Sequence, residues 1–351
     1  MSLIARDAGP EDLEAIYALA RQTSAPLTNL PPDRALLSAR IEASAQARSA
    51  HEAPRMLVVE REAGEVIATA TLKPRAGERE VYYTYRRETL IHASQQLDVR
   101  REVEILSLSH EMSHATLLCA LAVADCPERE AAKTLLRAAR LALIQAEPER
   151  FASTLFVALP GYQADGLCPF WEGVGRHFFS RDFSEVHREA SLGSKSFIGE
   201  VMPPFPLYVP LLEPAARQAI AAVHPGHQNA LRAWQREGFV LSRHVDLLDG
   251  GALLEMPRER LAGARSGRVV IDDAATDNVG ETLVVRHSAA DFRAMTLAGR
   301  REKGAGGCRL SRAEAARLGV EAGETVVMID RGVAQGMTQK EGSDADSAHR
   351  G

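Results

Sequence analysis

The chain has 351 residues, above the roughly 250–300 at which a single hydrophobic core stops growing, so one large domain with a smaller companion is expected. Hydrophobic residues make up 45% and charged residues 25%, ordinary globular values that exclude a disordered or collagen-like chain. The 42 Lys+Arg against 47 Asp+Glu leave a net charge of −5, so no overall positive field exists to hold a phosphate backbone, and nucleic acid is not expected as a partner.

The opening residues Met1 to Asp7 lack the basic and apolar regions of a secretory signal. The longest apolar run, Leu117 to Ala124, is far shorter than the roughly 20 residues that cross a bilayer. Cys119, Cys126, Cys168 and Cys308 form no CxxC pair, which suits reduced thiols. The expectation is a cytoplasmic protein without a membrane partner or a disulfide scaffold.

Ile4 begins a strand before a helix start at Pro10-Glu11-Asp12, and Leu13, Ile16, Tyr17, Leu19 and Ala20 then recur at helical spacing. Leu36 to Ile41 predict a second helix after the break at Leu30 to Asp33. Met56–Glu60 and Val66–Leu72 flank Gly64 as a hairpin. Thr89–Ala93 and Ile105–Ser109 read as strands, and Leu118–Ala124 as a buried one that runs into a capped helix over Glu130–Ala146. Phe151–Leu159 is a further strand. From there to Pro214, Gly, Pro and aromatic residues dominate, which predicts irregular loops over a site. Two helices, Ala215–Val223 and Asn229–Glu237, surround His224-Pro225-Gly226-His227, and Phe239–Leu248 is a strand ending at Asp249-Gly250-Gly251. Beyond about residue 262 the pattern turns to short strands, including Thr282–Arg286 and Glu324–Asp330, with a small helix at Ser311–Leu318. The expected division is therefore 1–262, a mainly-β subdomain at 263–333, and a polar, disordered tail at 334–351.

His110-Glu111-Met112-Ser113-His114 matches H-E-x-x-H, in which two His on one helix face bind zinc. No third ligand follows at the usual spacing, and the flanking strands argue against one long helix. A polar loop is the expectation, with no metal ligand assigned.

Asn229 to Phe239, a helix with a glycine stop feeding a strand, resembles the late motif of the GNAT superfamily of acyl-CoA N-acyltransferases. A denser series of matches covers residues 1 to about 260. It comprises Leu27 to Pro31, Thr89 to Ser94 with Leu97, Leu118 to Leu121, and Pro169-Phe170-Trp171 to Ser184. It continues with Phe197 to Pro203, Pro206 with Tyr208, Val223-His224-Pro225, Glu237-Gly238-Phe239, and Asp249-Gly250-Gly251 with Leu254-Glu255. In this order they resemble the arginine N-succinyltransferase family.

The resemblance implies an α+β fold: a GNAT-like mixed sheet flanked by helices, with a small mainly-β C-terminal subdomain. It implies transfer of succinyl from the co-substrate succinyl-CoA to the α-amino group of L-arginine, with no permanently bound cofactor, in a homo- or hetero-oligomer. The family's proton donor carries over to His224, and its succinyl-CoA backbone contact to Leu121. Taken alone, His224 reads as a loop or capping residue; an imidazole suits proton transfer near neutral pH. His227 is expected to face solvent. Backbone N–H groups between Leu121 and Val123 are candidates for stabilising a thioester oxyanion. Arg176, Arg181 and Asp182 are candidate counter-charges for substrate, against the simpler reading of solvated surface charges. Phe205, Leu207, Tyr208 and Val209 suit an interface or a core alike. The sequence departs from the family where Ala131 and Lys133 replace glycines of the pyrophosphate loop. The alternatives are a non-catalytic or altered-specificity partner subunit that binds an arginine-like ligand, and a zinc enzyme.

Overall fold

The computed structural model describes residues 3–22, 30–46, 53–192, 196–273, 281–288, 291–298 and 307–331. Leu27, Thr28 and Asn29 of the first matched segment and the expected tail at 334–351 lie outside them. The chain opens with β1 (Ile4–Asp7), a 3-10 turn, α1 (Leu13–Gln22), α2 (Arg34–Gln46) and the hairpin of β2 (Arg55–Glu60) and β3 (Val66–Lys73). A longer hairpin follows, β4 (Thr84–Ser94) with β5 (Val99–Ser109), then β6 (Thr116–Val123), α3 (Arg129–Ala146) and β7 (Thr154–Ala158). Helices α4 (Pro169–Gly173), α5 (Arg176–Phe179), α6 (Phe183–Leu192) and α7 (Ser196–Val201) precede β8 (Leu207–Tyr208), α8 (Pro214–Ala219) and α9 (Gln228–Arg236). Then come β9 (Val240–Asp246), β10 (Ala252–Pro257), β11 (Ala264–Ile271), β12 (Glu281–His287), β13 (Phe292–Ala298), β14 (Gly307–Leu310), α10 (Arg312–Leu318) and β15 (Thr325–Arg331).

The described strands form one mixed sheet in the order β14-β11-β15-β12-β13-β1-β2-β3-β6-β7-β10-β9-β4-β5-β8. Its pairs are antiparallel except β6–β7 and β11–β14. The architecture is thus mixed α+β. Helix α3 covers one face of the central strands with Leu135, Leu136, Ala139 and Leu143, while α1 and α2 cover the other with Ile16, Leu19, Leu37 and Ile41. No helix among the described residues is long and apolar enough to cross a membrane.

The stretch from Leu159 to Pro214 differs from the expectation of irregular loops. Its glycines and prolines punctuate helices of 4 to 10 residues, too short to show a 3.6-residue period, and their aromatics build a second core with Tyr85, Phe170 and Trp171. Trp171 donates through Nε1 to the Arg181 carbonyl at 2.9 Å, and Gly175 lies so close to its indole that a Cβ would come within 2.2 Å. The first of the two later helices also stops early, at Ala219, because Ala221 turns into the left-handed region (φ 59°) and donates to the Gly250 carbonyl.

The C-terminal strands join the main sheet through β13 on β1, with Ala5 opposite Ala294. A buried charge network marks this seam. Arg55, 2% exposed, donates from Nη2 to both Asp7 carboxylate oxygens (2.6 and 2.9 Å) and from Nη1 to Glu147 at 2.9 Å. Asp7 also accepts from the Phe292 amide at 3.2 Å, and Glu147 lies 2.8 Å from His287 Nε2 on β12. Burial alone would raise the Glu147 pKa, but the His287 hydrogen bond and the Arg55 and Arg150 charges outweigh it and hold it at about 2, against an ordinary 4.5.

A depressed carboxylate pKa stabilises the fold above the unfolded value, and that share disappears as pH falls from about 4.5 towards about 2. Glu147→Gln is expected to lower stability near neutral pH by about 1–2 kcal/mol, with a deficit that shrinks through that acid window in urea melts taken across pH. A deficit independent of pH would contradict the network.

Candidate functional site

The central feature is a fork in the sheet. Parallel strands β6 and β7 pair only at Thr116–Leu155 and Leu117–Phe156, after which they separate. Beyond that point β7 continues to pair with β10 on its other edge. On β6, the register to β3 slips between Cys119 opposite Thr71 and Ala122 opposite Thr69. Ala120 takes up the extra residue in the left-handed region (φ 55°), a β-bulge that re-aims the strand. The Ala124 amide donates to Ile67 of β3. By the two-residue period of a strand, the amide of Ala122 faces β3 with it, and the amides of Leu121 and Val123 face the fork. The half-buried Leu121 side chain packs on the core beneath α3.

The C-terminal ends of both strands lead to the fork's mouth. From β6 the chain passes into the first turn of α3, where Lys133 pairs with Glu130 at 2.7 Å and Ala131 is exposed. Glu128, the residue before α3, pairs with Arg61 at 2.9 Å and makes no side-chain cap. From β7 it passes through Leu159 and Pro160 to Gly161, which bridges to Val223. The next residue, His224, donates its amide to the Pro160 carbonyl at 2.9 Å and caps the turn Pro225–His227. Its Nδ1 accepts from the Gly226 amide at 3.1 Å, so the hydrogen of the neutral ring lies on Nε2. The His227 ring sits 5.6 Å away, edge to face. Contrary to the expected solvent-facing position, His227 is half-buried with an unpartnered Nδ1, and burial, His224 and Lys133 together lower its pKa. The Lys133 charge at the start of α3 is thus felt at the His224 turn.

Asp249, 7% exposed, holds the β7 side in place. Its carboxylate accepts from the Gly161 amide at 2.7 Å and the Gly251 amide at 2.8 Å. Burial and the neighbouring Asp246 carboxylate push its pKa up, against the pull of those two donors. The approach demands glycine: a Cβ on Gly161 would lie 2.3 Å from the Asp249 carbonyl, and one on Gly251 2.4 Å from that of Leu159. Tyr82 packs edge-on to Phe156 at the base of the fork, where burial raises its phenol pKa well above the ordinary value.

The other sequence candidates lie elsewhere. Glu111 to His114 form a 3-10 turn with His110 as its cap, not an α-helix, so the two His do not share a metal-binding helix face. Glu111 is engaged by Arg86 and, at 3.2 Å, by buried His244. Among the described residues no group of three or more His, Cys, Asp and Glu could hold a metal ion. Arg176 pairs with Glu172 and Asp182, and Arg181 with Glu189, as solvated surface pairs. Sequence reasoning assigned no role to Asp249, although the Asp-Gly-Gly run marked its turn. It also passed over Arg140, whose position four residues after Leu136 in the apolar stripe of α3 was the available signal.

The family description "Arginine N-succinyltransferase beta subunit" matches residues 3–263, and that of its C-terminal domain matches residues 265–330. The chain belongs to the arginine N-succinyltransferase family. Among relatives in this family, the arginine N-succinyltransferase subunit alpha of Pseudomonas aeruginosa is 33% identical over 304 residues, covering 84% of this chain and 90% of its own. The subunit beta of the same organism is 31% identical over 330 residues, covering 92% and 97%. The arginine N-succinyltransferase of Yersinia enterocolitica is 33% identical over 328 residues, covering 91% and 94%. The solved structure of arginine/ornithine succinyltransferase subunit AI from Pseudomonas aeruginosa superposes with a TM-score of 0.85 at 31% identity, covering 95% of this chain and 99% of that one.

Asp249→Ala would strip the acceptor from two buried amides, and is expected to cost about 2–4 kcal/mol in urea unfolding, with Asp249→Asn intermediate. A loss below about 0.5 kcal/mol would show that Asp249 does not hold the β7 extension.

Proposed function

We propose that this chain is an acyl-CoA N-acyltransferase with a GNAT-like fold that moves succinyl from succinyl-CoA to the α-amino group of L-arginine. The observation that carries the reading is the fork: β6 and β7 part after two paired positions, and His224 stands at their open end. In this reading the acyl-pantetheine arm enters between the strands, and the thioester oxygen accepts from the Leu121 amide, which faces the gap. The amine nitrogen attacks the thioester carbon, a C–N bond forms, and the C–S bond breaks. The amine attacks as the free base, the proton it sheds on becoming an amide passes to solvent, and the CoA thiolate leaves hydrogen-bonded to the His224 ring and takes its own proton from water. His224 presents Nε2–H towards the sulfur because Gly226 occupies Nδ1. Lys133 and the amides at the start of α3 receive the CoA phosphates, with charge substituting for the family's glycines.

The reading places the protein in the cytoplasm and in an oligomer, and the subunit names of its relatives support the latter. It assigns 1–262 to the acyltransferase domain and 263–333 to a mainly-β subdomain that extends its sheet.

Thiol release from succinyl-CoA, followed with L-arginine or L-ornithine, tests this. The wild-type chain should release thiol only with an amine present, and His224→Ala should lower kcat by about two to four powers of ten while keeping its fold. Near-normal turnover in a folded variant would remove His224 from the reaction. No release by the wild type would favour a binding subunit.

A further inference from the structure

A guanidinium keeps its charge at working pH and carries five N–H donors, so an arginine sealed inside a protein ordinarily faces carboxylates or carbonyls. Arg55 follows this rule at the seam, clasped by Asp7 and Glu147. Arg137, one turn before Arg140 on α3, faces Glu237 at 3.2 Å. Arg140 is only partly provided for. It is 1% exposed and lies in the apolar stripe of α3. Its Nε donates to the Leu136 carbonyl at 3.2 Å, while Nη2 is sealed from solvent and donates to nothing. One side of the guanidinium rests near the Trp234 ring, 5.3 Å from its centroid. Burial lowers its pKa to about 10, which leaves it a cation at neutral pH.

Its neighbours locate it at the fork. Cys119, whose thiol acts on Arg140 electrostatically, lies on β6 two residues beyond the last position paired with β7 and two before Leu121. Trp234 lies on α9, which begins directly after the His224 turn. This incompletely paired cation therefore sits on the α3 side of the gap, between the bulged strand and the helix that follows His224. Its Nη2 has hydrogens left to give to a carboxylate, and the indole supports the cation without neutralising it.

We propose that Arg140 is the receptor for the terminal carboxylate of the succinyl group carried by the acyl donor, and so sets donor specificity. The inference rests on the reading of the fork as an acyl-CoA cleft. Two carboxylates belong to that reaction, the succinyl end and the α-carboxylate of the acceptor. The succinyl end continues inward beyond the thioester carbon, whereas the acceptor arrives at the open mouth by His224. A sealed cation beneath α3 suits the former.

The test compares donors and acceptors in the full chain. The donor ratio is kcat/KM for succinyl-CoA over its neutral isostere succinamyl-CoA, and the acceptor ratio is kcat/KM for L-arginine over agmatine, which lacks the carboxylate. In the wild type the donor ratio should be about 100, as expected when a charged hydrogen-bonding site is left unpaired by the neutral analogue. Arg140→Met should bring it down to about one and leave the acceptor ratio where it was, and Arg140→Lys should recover part of the donor ratio. A fall in the acceptor ratio instead would assign the carboxylate to the amino acid and overturn the inference. Unchanged ratios would reduce Arg140 to packing. Should Arg140→Met not fold, a wild-type donor ratio near one, or one that Arg140→Lys leaves intact, would also overturn it. Absence of thiol release by the wild type with every donor would sink the acyltransferase reading and this inference together, whereas release with unmoved ratios sinks the inference alone.

Discussion

Two parallel strands that pair at only two positions leave an opening in the middle of an otherwise continuous sheet, and the rest of the site is organised around it. Unpaired backbone amides inside a protein are costly unless a partner reaches them. The Ala120 bulge turns the Leu121 amide towards the gap, and Asp249 fixes the far wall by binding Gly161, so the fork is held open by both of its arms. The His224 turn is tied by its amide to the β7 extension, not left as a free loop. In the proposed reaction it is this position that gives the histidine its chemical opportunity.

The sheet that carries the fork is stabilised from a distance. Helix α3 packs on β1, β2, β3 and β6 and also on β12 and β13, so one helix spans the N-terminal body and the added C-terminal strands. Its first turn lies at the fork and its last turn feeds Glu147 into the seam with Arg55 and Asp7. Replacement of Asp7 would leave Arg55 a buried cation facing only Glu147, which is why such a network fixes one arrangement even where its net contribution to stability is modest. The same helix thus joins the cohesion of the fold to the placement of the site.

The legibility of the sequence followed the length scale of its signals. The helix α3 and the β2–β3 hairpin show long or punctuated periodicity and were readable, as was the capped helix α10, whose Ser311 and Glu314 bond reciprocally. The helices α4 to α7 were not, because four to ten residues between glycines and prolines carry too little of a period. His224 and Leu121 were reachable through family likeness, since a histidine before Pro-Gly reads as a cap on local grounds, and it does cap that turn. The fork itself was invisible: strand parting is a relation between β6 and β7, separated by a helix, and no local pattern encodes it. Arg140 was visible as a charge in an apolar stripe, but the unpaired Nη2 at its tip is a property of the packed state.

The account stands on the fork as the place where the thioester lies. The most direct measurement is a crystal structure of the chain with succinyl-CoA, or an unreactive thioether analogue, bound. The account predicts the pantetheine arm between β6 and β7, the acyl oxygen within about 3 Å of the Leu121 amide and the sulfur facing Nε2 of His224. A CoA ester bound on another surface, with the β6–β7 gap empty, would contradict it.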